Sequence, residues 1–166
     1  MLCTSLATAT LPKVVSLGEG CFQYAAIESV SLPEATTLGQ YCFNECDALI
    51  TADLPKAKSL GDFCFSYCDK LTTVKLGADI ETIGESAFLS CPELNNVTIL
   101  RENPRTLTLG GNPINCFKNC SKLKIYVLYK ELQLYRSCWR SYAKGDDSGF
   151  WGENGDTSRI ILGVYL

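Results

Sequence analysis

The 166-residue chain is 46% hydrophobic and 20% charged with a net charge of −3, the balance of a chain that folds rather than one that stays disordered. It has no histidine, which excludes a Ser-His-Asp triad, a Cys-His dyad and every His-ligated metal centre. No run reaches the roughly 18 apolar residues of a membrane span, and the ten cysteines would suggest a secreted disulfide framework were it not for their positions.

Those positions are periodic. Phe22, Phe43, Phe65, Phe88 and Phe117 recur at intervals of 21 to 23 residues and then 29. Gly18, Gly39, Gly61 and Gly84 precede the first four by four residues. Cys46, Cys68, Cys91 and Cys120 follow the last four by three, with Leu49, Leu71, Leu94 and Leu123 three further on. Only the first copy deviates, with Ala25 and a shortened step to Ile27. This period, with a recurring L-x-x-V/A-x-L core, is the signature of a leucine-rich solenoid, in which each unit buries its apolar side against its neighbours.

In chain order, the first 12 residues, MLCTSLATATLP, enter this pattern in mid-repeat, with Cys3, Leu6, Ala9 and Leu11 at the places of Cys46, Leu49, Ala52 and Leu54. They lack the basic start and apolar stretch of a signal peptide. The phase implies an array cut through at its N-terminus, with an open end capable of self-association. Each repeat then has two limbs. The first, as in Leu71-x-x-Val74-x-Leu76, alternates apolar with polar residues and predicts a half-buried strand. Stacked in parallel, these strands point Ser29, Ser31, Thr51, Asp53, Thr73, Lys75, Asn96 and Thr98 outward, onto an expected concave face. The second limb carries the glycine and then C-F-x-x-C, whose spacing suits a single helical or 3₁₀ turn against the core.

Ile83-Gly84-Glu85-Ser86-Ala87-Phe88-Leu89-Ser90-Cys91-Pro92-Glu93-Leu94, with Leu32-Pro33 and Leu54-Pro55 as closing dipeptides, resembles the BspA-type leucine-rich-repeat family of bacterial surface proteins. That family's unit reads roughly I-G-x-x-A-F-x-x-C-x-x-L-x-x-V/I-x-I/L-P. The resemblance spans about residues 1 to 142, and cysteine replaces the family's usual alanine at Cys21, Cys42, Cys64 and Cys116. It implies a bacterial cell-surface or extracellular location and binding of a host or bacterial surface protein or glycan.

From Leu100 to Ile114 the fifth repeat is lengthened, matching a variable N-P-x-x-L segment of the family, and polar loops that interrupt a solenoid are candidate binding elements. After K-I-Y-V-L-Y, Leu132, Tyr135, Trp139 and Tyr142 fall on one face of an amphipathic helix from Glu131 to Tyr142. Tyr126-Val127 and Tyr135 with Trp139 also match the closing segment of the family, with Leu128 in place of its proline. The helix reads as a C-terminal cap over an otherwise open end. Lys144 to Ser158 is a Gly- and Asp-rich loop, and Arg159 to Leu166 resumes alternation as a closing strand.

The cysteines offer the strongest candidate chemistry, since stacked thiolates suit a soft metal such as zinc. Against this, they fall at repeat positions flanked by core Phe and Leu, and equivalent cysteines of stacked repeats lie about 5 Å apart with side chains parallel rather than facing. A ladder of buried free thiols, with no metal and no cofactor, is the expectation. Asp146, Asp147, Ser148, Glu153, Asn154 and Asp156 are hard oxygen donors suited to calcium but lack the EF-hand order. Tyr24, Tyr41, Tyr67, Phe150 and Trp151 have the chemistry to stack on sugars or, equally, to pack. Residues 1–100 carry 5 basic and 12 acidic side chains, residues 101–166 carry 10 and 6, and neither part shows the clustered cations and aromatics of a nucleic-acid binder.

The expected architecture is a leucine-rich-repeat solenoid of five to six units, α/β to mainly β. Parallel strands stack on one face, short turns or 3₁₀ segments lie on the other, and a capping helix and strand close the C-terminus. Residues 1–128 form the array and 129–166 the cap of the same domain. The expected function is non-enzymatic binding through the eight outward strand residues. The alternatives are a structural spacer and a thiol-dependent enzyme built on Cys138, the one cysteine off the repeat, which has no histidine to serve as its base.

Overall fold

Each repeat lays down two strands, and their lengths follow from the sequence of each limb. Where Ser or Thr alternates with Val, Ala and Leu the strand runs three or four residues; where a Ser/Thr-Leu pair meets a glycine it runs two. In a computed structural model that describes residues 8–110, 113–128, 130, 133–135 and 160–162, the order is β1 (Thr8–Thr10), β2 (Ser16–Leu17), β3 (Ser29–Ser31), β4 (Thr37–Leu38), β5 (Thr51–Leu54), β6 (Ser59–Leu60), β7 (Thr73–Leu76), β8 (Thr82–Ile83), β9 (Asn96–Ile99), β10 (Thr108–Leu109), β11 (Lys124–Val127) and β12 (Ile160–Leu162). Short 3₁₀ turns cover Pro104–Thr106 and Pro113–Phe117.

The longer strands form a seven-stranded sheet in the order β1-β3-β5-β7-β9-β11-β12 and the two-residue strands a five-stranded sheet in the order β2-β4-β6-β8-β10. Every pairing is parallel. The second sheet departs from the expectation of turns alone on that side. Its signal is the recurring Ser16-Leu17-Gly18, Thr37-Leu38-Gly39, Ser59-Leu60-Gly61, Thr82-Ile83-Gly84 and Thr108-Leu109-Gly110, which also supplies the glycine of the fifth repeat. The closing strand appears as β12, parallel to β11. Of the expected capping helix the described part is one turn, residues 133–135. There Tyr135 is fully buried and donates its hydroxyl to the Arg101 carbonyl at 2.9 Å.

The core is a set of stacks running along the solenoid. Phe22, Phe43, Phe65, Phe88 and Phe117 are stacked in sequence, with ring centroids 5.1 to 5.5 Å apart and planes within 6° of parallel. Beside them Leu32, Leu54, Leu76 and Ile99 project inward from successive strands. One stack is polar. Gln23 donates to Asn44 Oδ1 at 2.9 Å, and Asn44 donates to Ser66 Oγ at 2.8 Å. Ser66 donates in turn to the Phe63 carbonyl at 3.0 Å, so the buried amide and hydroxyl are satisfied.

The C-F-x-x-C segments are turns in four repeats and 3₁₀ only at Pro113–Phe117, because their backbone alternates in hand. Residues two before and two after the phenylalanine have left-handed φ: Gly20 and Tyr24, Tyr41 and Glu45, Phe63 and Tyr67, Ser86 and Ser90, with Asn119 after Phe117. A left-handed residue other than glycine costs about 1–2 kcal/mol. The conformation is held because it aims alternate N–H groups at the next repeat: Tyr41 at the Asp62 carbonyl, Phe43 at Cys64 and Glu45 at Ser66, at 2.8 to 3.0 Å.

Candidate binding face

On the outer side of the seven-stranded sheet the register aligns side chains in two rows. Thr8, Ser29, Thr51, Thr73, Asn96 and Lys124 form one; Thr10, Ser31, Asp53, Lys75, Thr98 and Tyr126 form the other. All eight residues expected to face outward do so, exposed or half-buried, while Val30, Ala52, Val74 and Val97 between them are buried. Period-two alternation on a sheet with one buried face requires this separation.

Asp53 and Lys75 are cross-strand neighbours, yet among the described residues neither side chain has an ion-pair or hydrogen-bond partner. Both open onto a hollow of about 360 Å³ at the edge of the face, shared with Thr98 and walled by Pro55, Leu76, Gly77, Ala78 and Leu100. Three strands contribute, each at the end where the chain turns off the sheet. The hollow arises where the Leu-Pro corner of Leu32-Pro33 and Leu54-Pro55 gives way to Leu76-Gly77 and Ile99-Leu100. Gly77 is obligatory, since a Cβ there would lie 1.7 Å from the Pro55 carbonyl oxygen. The Leu100 wall is fixed by its neighbour. Arg101 Nη1 donates to the Ile80 carbonyl at 2.7 Å, Nε donates to the Asn103 carbonyl at 3.2 Å, and Nε also reaches Thr106 Oγ1 at 3.1 Å. These contacts clamp the Pro104–Thr106 turn, which Asn103 caps by accepting from Arg105 N. The pattern of alternation does not point to Pro55, Gly77, Ala78 and Leu100; the broken corner dipeptides were the available signal.

The opposite, turn-bearing side has a second cleft of about 380 Å³ lined by Glu45, Asp47, Tyr67 and Asp69. Tyr24 and Tyr67 are 52% and 46% exposed there, whereas Tyr41 stacks on Phe63 at 5.3 Å. No group of three or more His, Cys, Asp or Glu side chains among the described residues is arranged to hold a metal. The 146–156 loop, Phe150, Trp151, Cys3 and Cys138 lie outside the described residues.

The eight described cysteines are free thiols, seven of them buried, with Cys21 exposed. One series joins successive repeats, since Cys46, Cys68, Cys91 and Cys120 donate to the carbonyls of Phe22, Phe43, Phe65 and Phe88 of the preceding repeat at 3.0 to 3.1 Å. A small, weakly polar donor fits that dry position. Burial pushes the Cys46 and Cys116 thiols up to about 12 and raises Cys68 and Cys64 well above the ordinary thiol value. Cys91 is raised through its contact with Cys120 and then by burial. Thiols held protonated are poor nucleophiles and poor metal ligands. With a thiol-specific reagent, native protein is expected to label Cys21 alone among these eight, and slowly, because burial and then Cys42 raise its pKa as well; denaturant should expose them all. Peptide mapping of the labelled chain gives the answer, and rapid native labelling of Cys68 or stoichiometric bound zinc would contradict the buried ladder.

Two solved structures resemble this fold. A leucine-rich-repeat protein of T. pallidum aligns with a TM-score of 0.63 and 24% identity over 74% of this chain and 58% of its own. A leucine-rich-repeat protein of Bacteroides ovatus aligns with a TM-score of 0.50 and 20% identity over 93% of this chain and 41% of its own. The chain thus spans about three fifths and two fifths of these two proteins. No curated protein matches it. A family model for the BspA type leucine rich repeat region matches residues 1–124 in 6 copies, in agreement with the stacked phenylalanines, glycines and thiols, and the chain belongs to the BspA-type leucine-rich-repeat family.

Proposed function

We propose that the chain is a non-enzymatic binding module of a bacterial cell-surface or secreted protein, taking a protein or glycan partner on the outer face of its seven-stranded sheet. The partner would meet Ser29, Ser31, Thr51, Asp53, Thr73, Lys75, Asn96 and Thr98. Membership in a repeat family of this type supports the reading; no described helix is long and apolar enough to cross a membrane. The observation that carries it is the pair of outward rows, whose short hydrogen-bonding side chains are aligned by register and in which the neighbouring charges of Asp53 and Lys75 have no partner among the described residues.

Those eight residues include neither the aromatic nor the arginine anchors that dominate tight interfaces. Monomeric affinity is therefore expected to be micromolar or weaker, rising with the number of copies displayed. The test is a screen of the chain against protein and glycan arrays, followed by Asp53→Lys with Lys75→Glu, which inverts the charges of the face and leaves the inward residues untouched. Loss of the captured partner supports the face. Unchanged affinity removes it and directs mutation to the Arg101–Asn115 loop, while an empty screen favours a structural spacer.

A further inference from the structure

We propose that the hollow between Asp53, Lys75 and Thr98 and the apolar corner of Pro55, Ala78 and Leu100 is the anchoring subsite of the sheet face. Its occupant is an extended peptide segment of a protein partner, seated by one leucine-sized aliphatic side chain and the peptide groups flanking it. This rests on the sheet-face reading and narrows its protein-or-glycan choice to protein.

Three observations carry the assignment. The hollow, about 360 Å³, is of the size of small ligand sites, and such sites combine an apolar lining with a few placed polar groups. Its walls are aliphatic and contain no aromatic ring. Sugar rings are gripped chiefly by aromatic faces; Tyr24 and Tyr67 stand on the turn side, and Tyr126, half-buried beside Thr98 in the same row, is not among the residues that line the hollow. The polar groups form a donor and an acceptor side by side. Asp53 and Lys75 sit at paired register positions, with Thr98 next in the row and no partner already occupying either charge among the described residues. Together the two charges sum to zero, so they do not select a charged ligand. They complement a backbone amide, the carboxylate accepting from a peptide N–H and the ammonium donating to a peptide carbonyl. The site is also preorganised, since Arg101 ties the wall after Leu100 to the Ile80 carbonyl, which lowers the ordering cost of binding.

The test uses the whole chain, ¹⁵N-labelled and titrated with three probes: N-acetyl-leucine N-methylamide, N-acetylglycine N-methylamide and N-acetylglucosamine. The leucine compound is expected to shift the backbone amides of Lys75, Gly77, Ala78 and Thr98 with a Kd of about a millimolar, as suits so small a ligand. The glycine compound should bind about tenfold or more weakly, having no side chain to bury. Asp53→Asn and Lys75→Met should each weaken the leucine compound about tenfold, and Ala78→Trp, at an exposed corner position, should block it while leaving the fold intact. Absence of shifts with the leucine compound, equal binding of the glycine compound, or shifts of the same amides by the sugar would each overturn the proposal. The failures are separable: leucine-compound shifts confined to the Ser29–Thr51–Thr73 row remove the subsite and spare the face, whereas an array-captured partner indifferent to the Asp53 and Lys75 reversal removes the face.

Discussion

Gly61→Ala is expected to destabilise the array by about 3 kcal/mol, the upper part of the range for overpacking, while Gly18→Ala leaves stability within about 0.5 kcal/mol of the parent. Both glycines hold the same place in their repeats, and neither has a left-handed φ, so backbone strain is not the difference. The difference is what lies behind them. A Cβ on Gly61 would stand 2.5 Å from the Gln40 nitrogen and 2.6 Å from the Gly39 carbon, and Gly39, Gly84 and Gly110 meet the preceding repeat in the same way, at 2.6, 2.5 and 2.4 Å. At Gly18 no described atom lies within 4 Å. The obstacle at Gly61 is backbone, which a rotamer change does not relieve. Moving the repeats apart would stretch the bond from Gly61 N to the Leu38 carbonyl, now 2.8 Å. Denaturant midpoints of the two variants, measured side by side, decide the matter, and equal losses would refute stacking at this glycine as the cause.

Raising the pH is expected to unfold the protein cooperatively between about pH 9 and 11, through its thiols. Cys46, Cys64, Cys68, Cys91 and Cys116 keep their protons in the fold, Cys46 and Cys116 up to about 12, while the unfolded chain releases them near 9.0. Below pH 9 both states bind these protons and stability is complete; above it the unfolded chain binds fewer, and stability falls as pH climbs toward 12. Each such thiol contributes a slope of about 1.4 kcal/mol per pH unit in that window. Five acting together would remove the roughly 5–15 kcal/mol of a typical domain within about two pH units. Under reducing conditions, thiolate absorbance should therefore rise in step with the loss of circular dichroism. Native-state labelling of Cys64 or Cys68 near pH 9, in a chain that keeps its native spectrum, would show that water reaches the ladder; the exposed Cys21 is not part of that test. The repeat itself supplies a control, because Ala87 already occupies, fully buried, the position of Cys64 and Cys116. The double variant Cys64→Ala with Cys116→Ala should lower the alkaline slope by about 2.7 kcal/mol per pH unit.

The repeat, its phase and its inward positions were legible because every unit states them again. A period that returns Phe, Cys and Leu to the same place has one economical solution, stacking, and alternation along Thr73-Val74-Lys75-Leu76 assigns the inner and outer rows. Less legible was the second sheet, whose strands are two residues long and too short to show alternation. The expected single turn at C-F-x-x-C is present in every repeat, as 3₁₀ at Pro113–Phe117 and as a turn of alternating hand in the others, and that difference was not legible because spacing alone does not report backbone hand. Here the hand is set by the carbonyls that the next repeat presents to Tyr41, Phe43 and Glu45.

The amino-acid sequence by itself determined that the chain is a stack of like units, which residues each unit turns inward, and that its cysteines lie among core residues; these are properties of a pattern that repeats within one strand or turn. Only the tertiary structure decided what depends on atoms of different repeats meeting. It shows the thiols donating to phenylalanine carbonyls one repeat away and the glycines yielding to backbone behind them. It also shows the hollow at Asp53 and Lys75, formed where three successive corners differ. A hollow is set by the difference between neighbouring repeats, and that difference becomes a shape only when the repeats are stacked.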